Sequence, residues 1–330
     1  MAAKKFYNAN GLFLAQVGIG TNPKPFYLLL DTGSSIIWAG IVGSSDIYPL
    51  THNYDPRLST TSKCTYTQFN MRYGSGNCAG IYYIDRFTYL GYNQISCIFW
   101  AAQTTNFNIN LGDGIIWLSR KYQQPSLSFI HSIKNAYISI SLAFSVKFNI
   151  INNQIVGKMA IGIDSYFYQQ NVVTCPLITL SANPIFWACT LSYIWYKSAK
   201  ASQTFNAGCG VIFDTGTNNI MLPMQSFEEV KNRVKKFNCD VQESSGNYRL
   251  LCQLNDYIPD FVLSINEHEF TIPRNLFYKL YPNNILVPSL IFTNGISAPI
   301  IGSPFFIVFH ALFNHDSDFL AFAPSCGTIN

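Results

Sequence analysis

Charge is scarce in this chain. Asp, Glu, Lys and Arg make up only 12% of its 330 residues, and the 21 basic and 17 acidic side chains are scattered, leaving a net charge of +4. A nucleic-acid partner needs Lys and Arg gathered into a stripe, so none is expected. The densest basic stretch, Lys231 to Lys236, falls where the pattern reads as a helix, and a solvated face accounts for it. Long apolar runs are missing too. The best, Ile300 to Phe313, is broken by Gly302, Ser303, Pro304 and His310, short of the ~18 residues of a membrane span. The nine cysteines contain no C-x-x-C pair, His268 lies in Glu267-His-Glu269 without H-E-x-x-H spacing, and no G-x-S-x-G elbow occurs. Zinc sites and serine hydrolases thereby lose their usual signatures, and neither a metal nor a cofactor is expected.

Other absences bear on compartment. The amino terminus carries Lys4 and Lys5 with no apolar region behind them, so no secretory signal is read in these residues; either the chain is intracellular or a leader is not part of this sequence. No N-x-S/T acceptor occurs despite many asparagines, which speaks weakly against an extracellular route. Cysteine usage points the other way. Cys239 and Cys252 flank a short polar hairpin-like stretch suited to a disulfide, and an oxidising compartment is favoured, while the odd total leaves at least one thiol over.

Apolar material is plentiful, 48% of residues with 15% aromatic, enough for packed cores. Three hundred and thirty residues suit two units rather than one. Short apolar or alternating runs between Gly, Asn, Pro and Ser, such as Leu12 to Ile19, Phe26 to Leu30, Tyr137 to Phe148 and Phe261 to Ile265, predict strands. The clearest helix is expected over Phe227 to Phe237, opened by Ser226 and Glu229 as a capping box.

The halves echo each other. Phe26-Tyr-Leu-Leu-Leu-Asp31-Thr32-Gly33-Ser34 is matched by Gly210-Val-Ile-Phe-Asp214-Thr215-Gly216-Thr217, and Asp113-Gly-Ile-Ile116 by Ala298-Pro-Ile-Ile301-Gly302. One unit duplicated, with a linker near 157–168, is the simplest account. A single Asp-Thr-Gly would occur by chance in roughly one chain in twenty of this length. Two, each at the end of an apolar strand and one per half, are far rarer and point to paired chemistry. Two carboxylates held close cannot both ionise cheaply, so one keeps its proton as a donor while the other stays charged. A water between them then has a base and an acid to hand, with no covalent intermediate needed. The glycines that follow are expected to serve by permitting unusual backbone angles.

At these residues the chain resembles the pepsin-like aspartic peptidases, and the likeness runs along nearly its whole length. Gly11 to Thr21 followed by Asp31-Thr-Gly-Ser-Ser-Ile-Ile-Trp38 is similar to the family's first-lobe signature; Tyr73-Gly74-Ser75-Gly76 resembles its flap hairpin. Met159 to Asp164 resembles the entry to the second lobe, and Ile300-Ile-Gly302 with Phe319-Leu-Ala-Phe322 its closing segment. The resemblance implies an all-β, bilobal pepsin-like acid protease fold with two related β-barrel-like lobes and few short helices, residues 1–164 carrying the first aspartate and the flap, 165–330 the second. It implies Asp31 and Asp214 as catalytic residues, Thr32 and Thr215 as a cross-link between their loops, and Ser34 and Thr217 as outer supports. Gly33 and Gly216 would let backbone amides approach the aspartates. Tyr73 would close over substrate, its hydroxyl oriented by the Trp38 indole.

The implied activity is aspartic endopeptidase action on polypeptides, with apolar side chains around the cut and an acidic optimum. A monomer in a secreted or lysosome- or vacuole-like acidic compartment is expected, with a pro-segment absent from this chain. Departures keep a second reading open, a catalytically silent binding or inhibitor protein on the same scaffold. Trp117 stands where the first lobe would carry a glycine, Asn218 replaces Ser or Thr, Ile36 replaces Asn, Cys209 lacks a partner just upstream, and Cys78 lies close to the flap.

Overall fold

A computed structural model describes residues 4–5, 7–9, 12–44, 52–73, 76–106, 112–120, 128–151, 154–168, 171–180, 185–196, 203–204, 209–228, 239–253 and 260–324. Strands dominate among them, and the α-helices are short: Phe129–Ala136, Arg274–Phe277 and Ser303–Val308. The chain is all-β in class. No helix among the described residues is long and apolar enough to cross a membrane.

One sheet is built from the first half. Its order runs Tyr7–Ala9, Leu12–Ile19, Lys24–Asp31, Gly114–Trp117, Trp38–Gly40, Tyr92–Thr105, Gly76–Tyr89, Lys63–Tyr73. Strand Lys24–Asp31 starts exposed at Lys24 and Pro25 and is buried from Leu28 onward. It lies between an antiparallel neighbour, with Leu14 opposite Leu29, and a parallel one, with Leu30 opposite Ile116 and Asp31 opposite Trp117. A strand covered on both faces needs an unbroken apolar run, which Leu28-Leu29-Leu30 supplies.

A second sheet repeats the arrangement in the second half. Gly210–Phe213, buried throughout, pairs in parallel with Ile300–Ile301, Phe213 lying opposite Ile301. The two parallel pairs are the structural counterpart of the echo in the sequence. A third sheet takes strands from the start, middle and end of the chain, in the order Lys4–Lys5, Gln154–Ile161, Ala143–Ile151, Phe309–Asn314, Phe319–Pro324, Val173–Pro176. A large apolar cluster runs continuously from Phe13 to Phe322 and joins both halves, with the Phe13 and Phe148 rings stacked at 3.8 Å. A smaller cluster of Trp38, Phe69, Trp100 and Ile115 packs beneath the hairpin of Lys63–Tyr73 and Gly76–Tyr89.

Cys239 and Cys252 oppose each other on the hairpin of Cys239–Ser244 and Asn247–Gln253 and form a disulfide, Cα atoms 3.9 Å apart. Of the helix expected over 227–237, residues 229–237 lie outside the described residues. A 3-10 turn, Met224–Ser226, leads into Phe227, whose ring packs 5.2 Å from those of Tyr248 and Phe292.

Candidate active site

Asp31 ends its strand and Asp214 directly follows Gly210–Phe213, so duplicated strands deliver two carboxylates to one place. The loops lock through the two threonines, both fully buried. Thr32 Oγ1 donates to the Phe213 carbonyl at 2.9 Å and accepts from the Thr215 amide at 3.0 Å. Thr215 Oγ1 donates to the Leu30 carbonyl at 2.7 Å and accepts from the Thr32 amide at 3.2 Å. Each hydroxyl thus satisfies two backbone groups of the opposite loop that would otherwise be buried unpaired. The Leu30 and Phe213 carbonyls could not be singled out in the sequence, because any residue type offers the same oxygen.

Backbone and hydroxyl donors hold the carboxylates. Asp31 Oδ1 accepts from the amides of Gly33 at 2.8 Å and Ser34 at 3.1 Å; Asp214 accepts from the Gly216 amide at 2.8 Å and the Thr217 hydroxyl at 2.6 Å. The Thr217 hydroxyl bonds Asp214 directly, whereas the buried Ser34 hydroxyl stands close enough to Asp31 to favour its charge but misses hydrogen-bond geometry. Neither Gly33 nor Gly216 has a positive φ, contrary to the expected reason for glycine there. Space is the reason. A Cβ on Gly33 would sit 2.7 Å from Asp214 Cγ, and one on Gly216 would sit 2.6 Å from Asp31 Oδ1 and 3.2 Å from Asp214 Oδ1. The last pair of distances also puts one oxygen of each carboxylate within 3.2 Å of a common point.

Asp31, 8% exposed, has its pKa raised well above the ordinary 3.8. Burial contributes most, then the Asp214 charge and a hydrogen bond with Asp214, while the Gly33 amide pulls the other way. Burial and the neighbouring carboxyl therefore both favour the protonated form of Asp31.

Over residues 12–325 the sequence matches the family model described as eukaryotic aspartyl protease. The chain belongs to that family. It is 26% identical over 329 residues to pepsin A of Bos taurus, covering 94% of this chain and 84% of that protein. It is 28% identical over 274 residues to gastricsin of Oryctolagus cuniculus (79% and 66% covered) and 27% identical over 277 residues to vacuolar protease A of Arthroderma otae (80% and 65%).

In this family member the hairpin read as a flap closes with Tyr73 opposite Gly76 in register. The Tyr73 side chain and the whole of Gly74 and Ser75 lie outside what is described, and with them the expected contact to Trp38. Trp38 is buried in the smaller apolar cluster and pairs in register with Trp100. Trp117 occupies the place that Gly302 holds in the second half, because Ile116 and Ile301 lie opposite Leu30 and Phe213. Its ring is buried in the large core, and its Nε1 donates to Ser119 Oγ. Directly after it, the Leu118 amide donates to the Asp31 carbonyl at 2.9 Å, a contact for which the sequence held no signal beyond the Trp-Leu-Ser-Arg stretch itself.

Proposed function

We propose that this aspartyl protease is an endopeptidase in which Asp31 and Asp214 activate a water against a peptide bond. The observation that carries this reading is the meeting of the two carboxyls about one point, where burial and mutual repulsion raise the Asp31 pKa. Whichever carboxyl holds the shared proton supplies the acid that polarises the scissile carbonyl, and the other, ionised, takes the proton of the attacking water; Asp214 is held for this by the Gly216 amide and the Thr217 hydroxyl. The proton belongs to the pair rather than to one residue for good, a behaviour for which aspartic proteases are the standard example. Thr32 and Thr215 fix the loops, and Tyr73 with Gly74, Ser75 and Gly76 closes over an extended polypeptide. Apolar side chains around the cut suit a cleft closed by Tyr73.

The silent-protein alternative drew its support from Trp117, and that ring is buried in the core with the donors to Asp31 intact. We place the boundary between lobes at residues 164 and 165, ahead of the 3-10 turn Ser165–Tyr168. An acidic compartment suits the shared proton, and one fungal relative bears the name vacuolar protease A.

The test is peptide cleavage between about pH 3 and 6 by the wild type and by Asp31→Asn, with and without an inhibitor carrying a tetrahedral hydroxyl. Wild-type cleavage should be blocked by the inhibitor and fall at least about a thousandfold in the variant. Cleavage that ignores the inhibitor, or none from folded wild type, overturns the reading.

A further inference from the structure

Asp31 is also held from behind. Its carbonyl accepts from the Leu118 amide at 2.9 Å, and the segment carrying Leu118 is gripped by residues of the second half. The Leu118 carbonyl accepts from Trp187 Nε1 at 2.8 Å, and the Arg120 amide donates to the Ile185 carbonyl at 3.0 Å. The Arg120 guanidinium, on a residue only 5% exposed, reaches further. Its Nε donates to Asp318 Oδ1 at 2.8 Å, its Nη2 to Asp318 Oδ2, and its Nη1 to the Ile178 carbonyl at 2.7 Å.

A planar fork meeting a carboxylate with two parallel bonds fixes direction as well as distance, which a lysine cannot do. Removing Asp318 leaves the buried Arg120 charge without its carboxylate, so the arrangement resists drift. The threonines lock the tips of the two aspartate loops. The Arg120 fork instead ties the segment after the first-half strand, two residues past its backbone link to Asp31, to the turn between Phe309–Asn314 and Phe319–Pro324.

We propose that Arg120, through its fork on Asp318, is a positioning residue that sets where Asp31 stands relative to Asp214. The proposal rests on reading those two aspartates as the catalytic pair. Misplacement of a reacting group by about 1 Å can cost about a hundredfold in rate, so a clamp this near the strand end controls turnover more than binding. The ionisable groups facing this corner are Asp318, His315, His131 and Cys189, and the one facing Asp31 is Asp214.

The experiment is a carbon-13 titration of the aspartate carboxyls, on wild type, Arg120→Gln, Arg120→Lys and Asp318→Asn, each first shown to be folded by thermal melting. In the wild type the Asp31 carboxyl should titrate above the ordinary range. Loosening the clamp lets the carboxylates separate, so in Arg120→Gln and Asp318→Asn that titration should move down by about one pH unit, with Arg120→Lys between. Cleavage kinetics should show kcat down about tenfold and KM changed by less than about twofold. A titration unchanged in the folded variants overturns the proposal. Should Arg120→Gln not fold, Asp318→Asn decides, because it keeps the shape of a half-exposed side chain. The titration needs no activity. An inactive wild type would therefore count against the endopeptidase reading alone, and the clamp would still be judged.

Discussion

Two carboxyls can share a proton only if nothing larger than hydrogen stands between the loops that carry them. Gly33 and Gly216 meet this condition reciprocally, each presenting its bare α-carbon to the other loop's aspartate. Their role is close approach, and a substitution should act on geometry before it acts on folding. In Gly216→Ala the new methyl would lie 2.6 Å from Asp31 Oδ1, inside any real contact, and must push the two carboxyls apart. We expect a loss of at least about a hundredfold in kcat, by the same tolerance that makes small displacements costly, with circular dichroism unchanged. Full activity in a folded Gly216→Ala protein would mean that the carboxyls work at a wider spacing than described.

At the scale of elements, the parallel pairs Lys24–Asp31 with Gly114–Trp117 and Gly210–Phe213 with Ile300–Ile301 do the same work with different residues at the corresponding place. In the second half that place must be glycine, since a Cβ on Gly302 would meet the Thr217 and Asn219 carbonyls at 2.2 and 2.3 Å. In the first half Trp117 fills core volume there, so restoring the glycine should harm the protein. Trp117→Gly is expected to cost about 3 to 5 kcal/mol in urea unfolding, the usual range for emptying a large aromatic site; a loss under about 1 kcal/mol would mean the ring is not packed as described. The strands, their duplication and the Cys239–Cys252 hairpin were legible in the sequence because each is written in neighbouring residues: apolar runs, Asp-Thr-Gly, two cysteines around a polar turn. Arg120 and Asp318, 198 positions apart, were not. An ion pair between distant segments leaves no local period or spacing, and a lone arginine after Trp-Leu-Ser reads as any surface charge.

Over the whole molecule, opposing titrations bound the pH at which this fold is most stable. Asp31 carries a raised pKa, so its contribution is present at low pH and is lost as pH rises through that raised value. The histidines act oppositely. Burial, with repulsion from His131, pushes His315 down to about 3; burial pushes His310 down to about 4; and burial lowers His131 as well. Each is neutral in both folded and unfolded chains above its ordinary 6.5, so their stability is intact there. As pH falls below 6.5 the unfolded chain takes up protons that the fold refuses, and stability drops until the folded values are reached. His310 is buried with no partner for Nδ1, its ring 4.5 Å from that of Phe167 and 5.2 Å from that of Tyr166, while Asp164 favours its charge and Lys147 opposes it. Alone it removes about 3 kcal/mol between its two pKa values. The dyad therefore favours acid while the third sheet and its neighbours resist it. The melting temperature should fall steadily from pH 6.5 toward 4, and the fall should be visibly shallower in His310→Leu, which offers no site for the proton. A wild type whose melting temperature is flat or rising over that interval, or a His310→Leu variant with the same slope, would mean that these buried rings reach water and do not limit how acidic a compartment the protein can occupy.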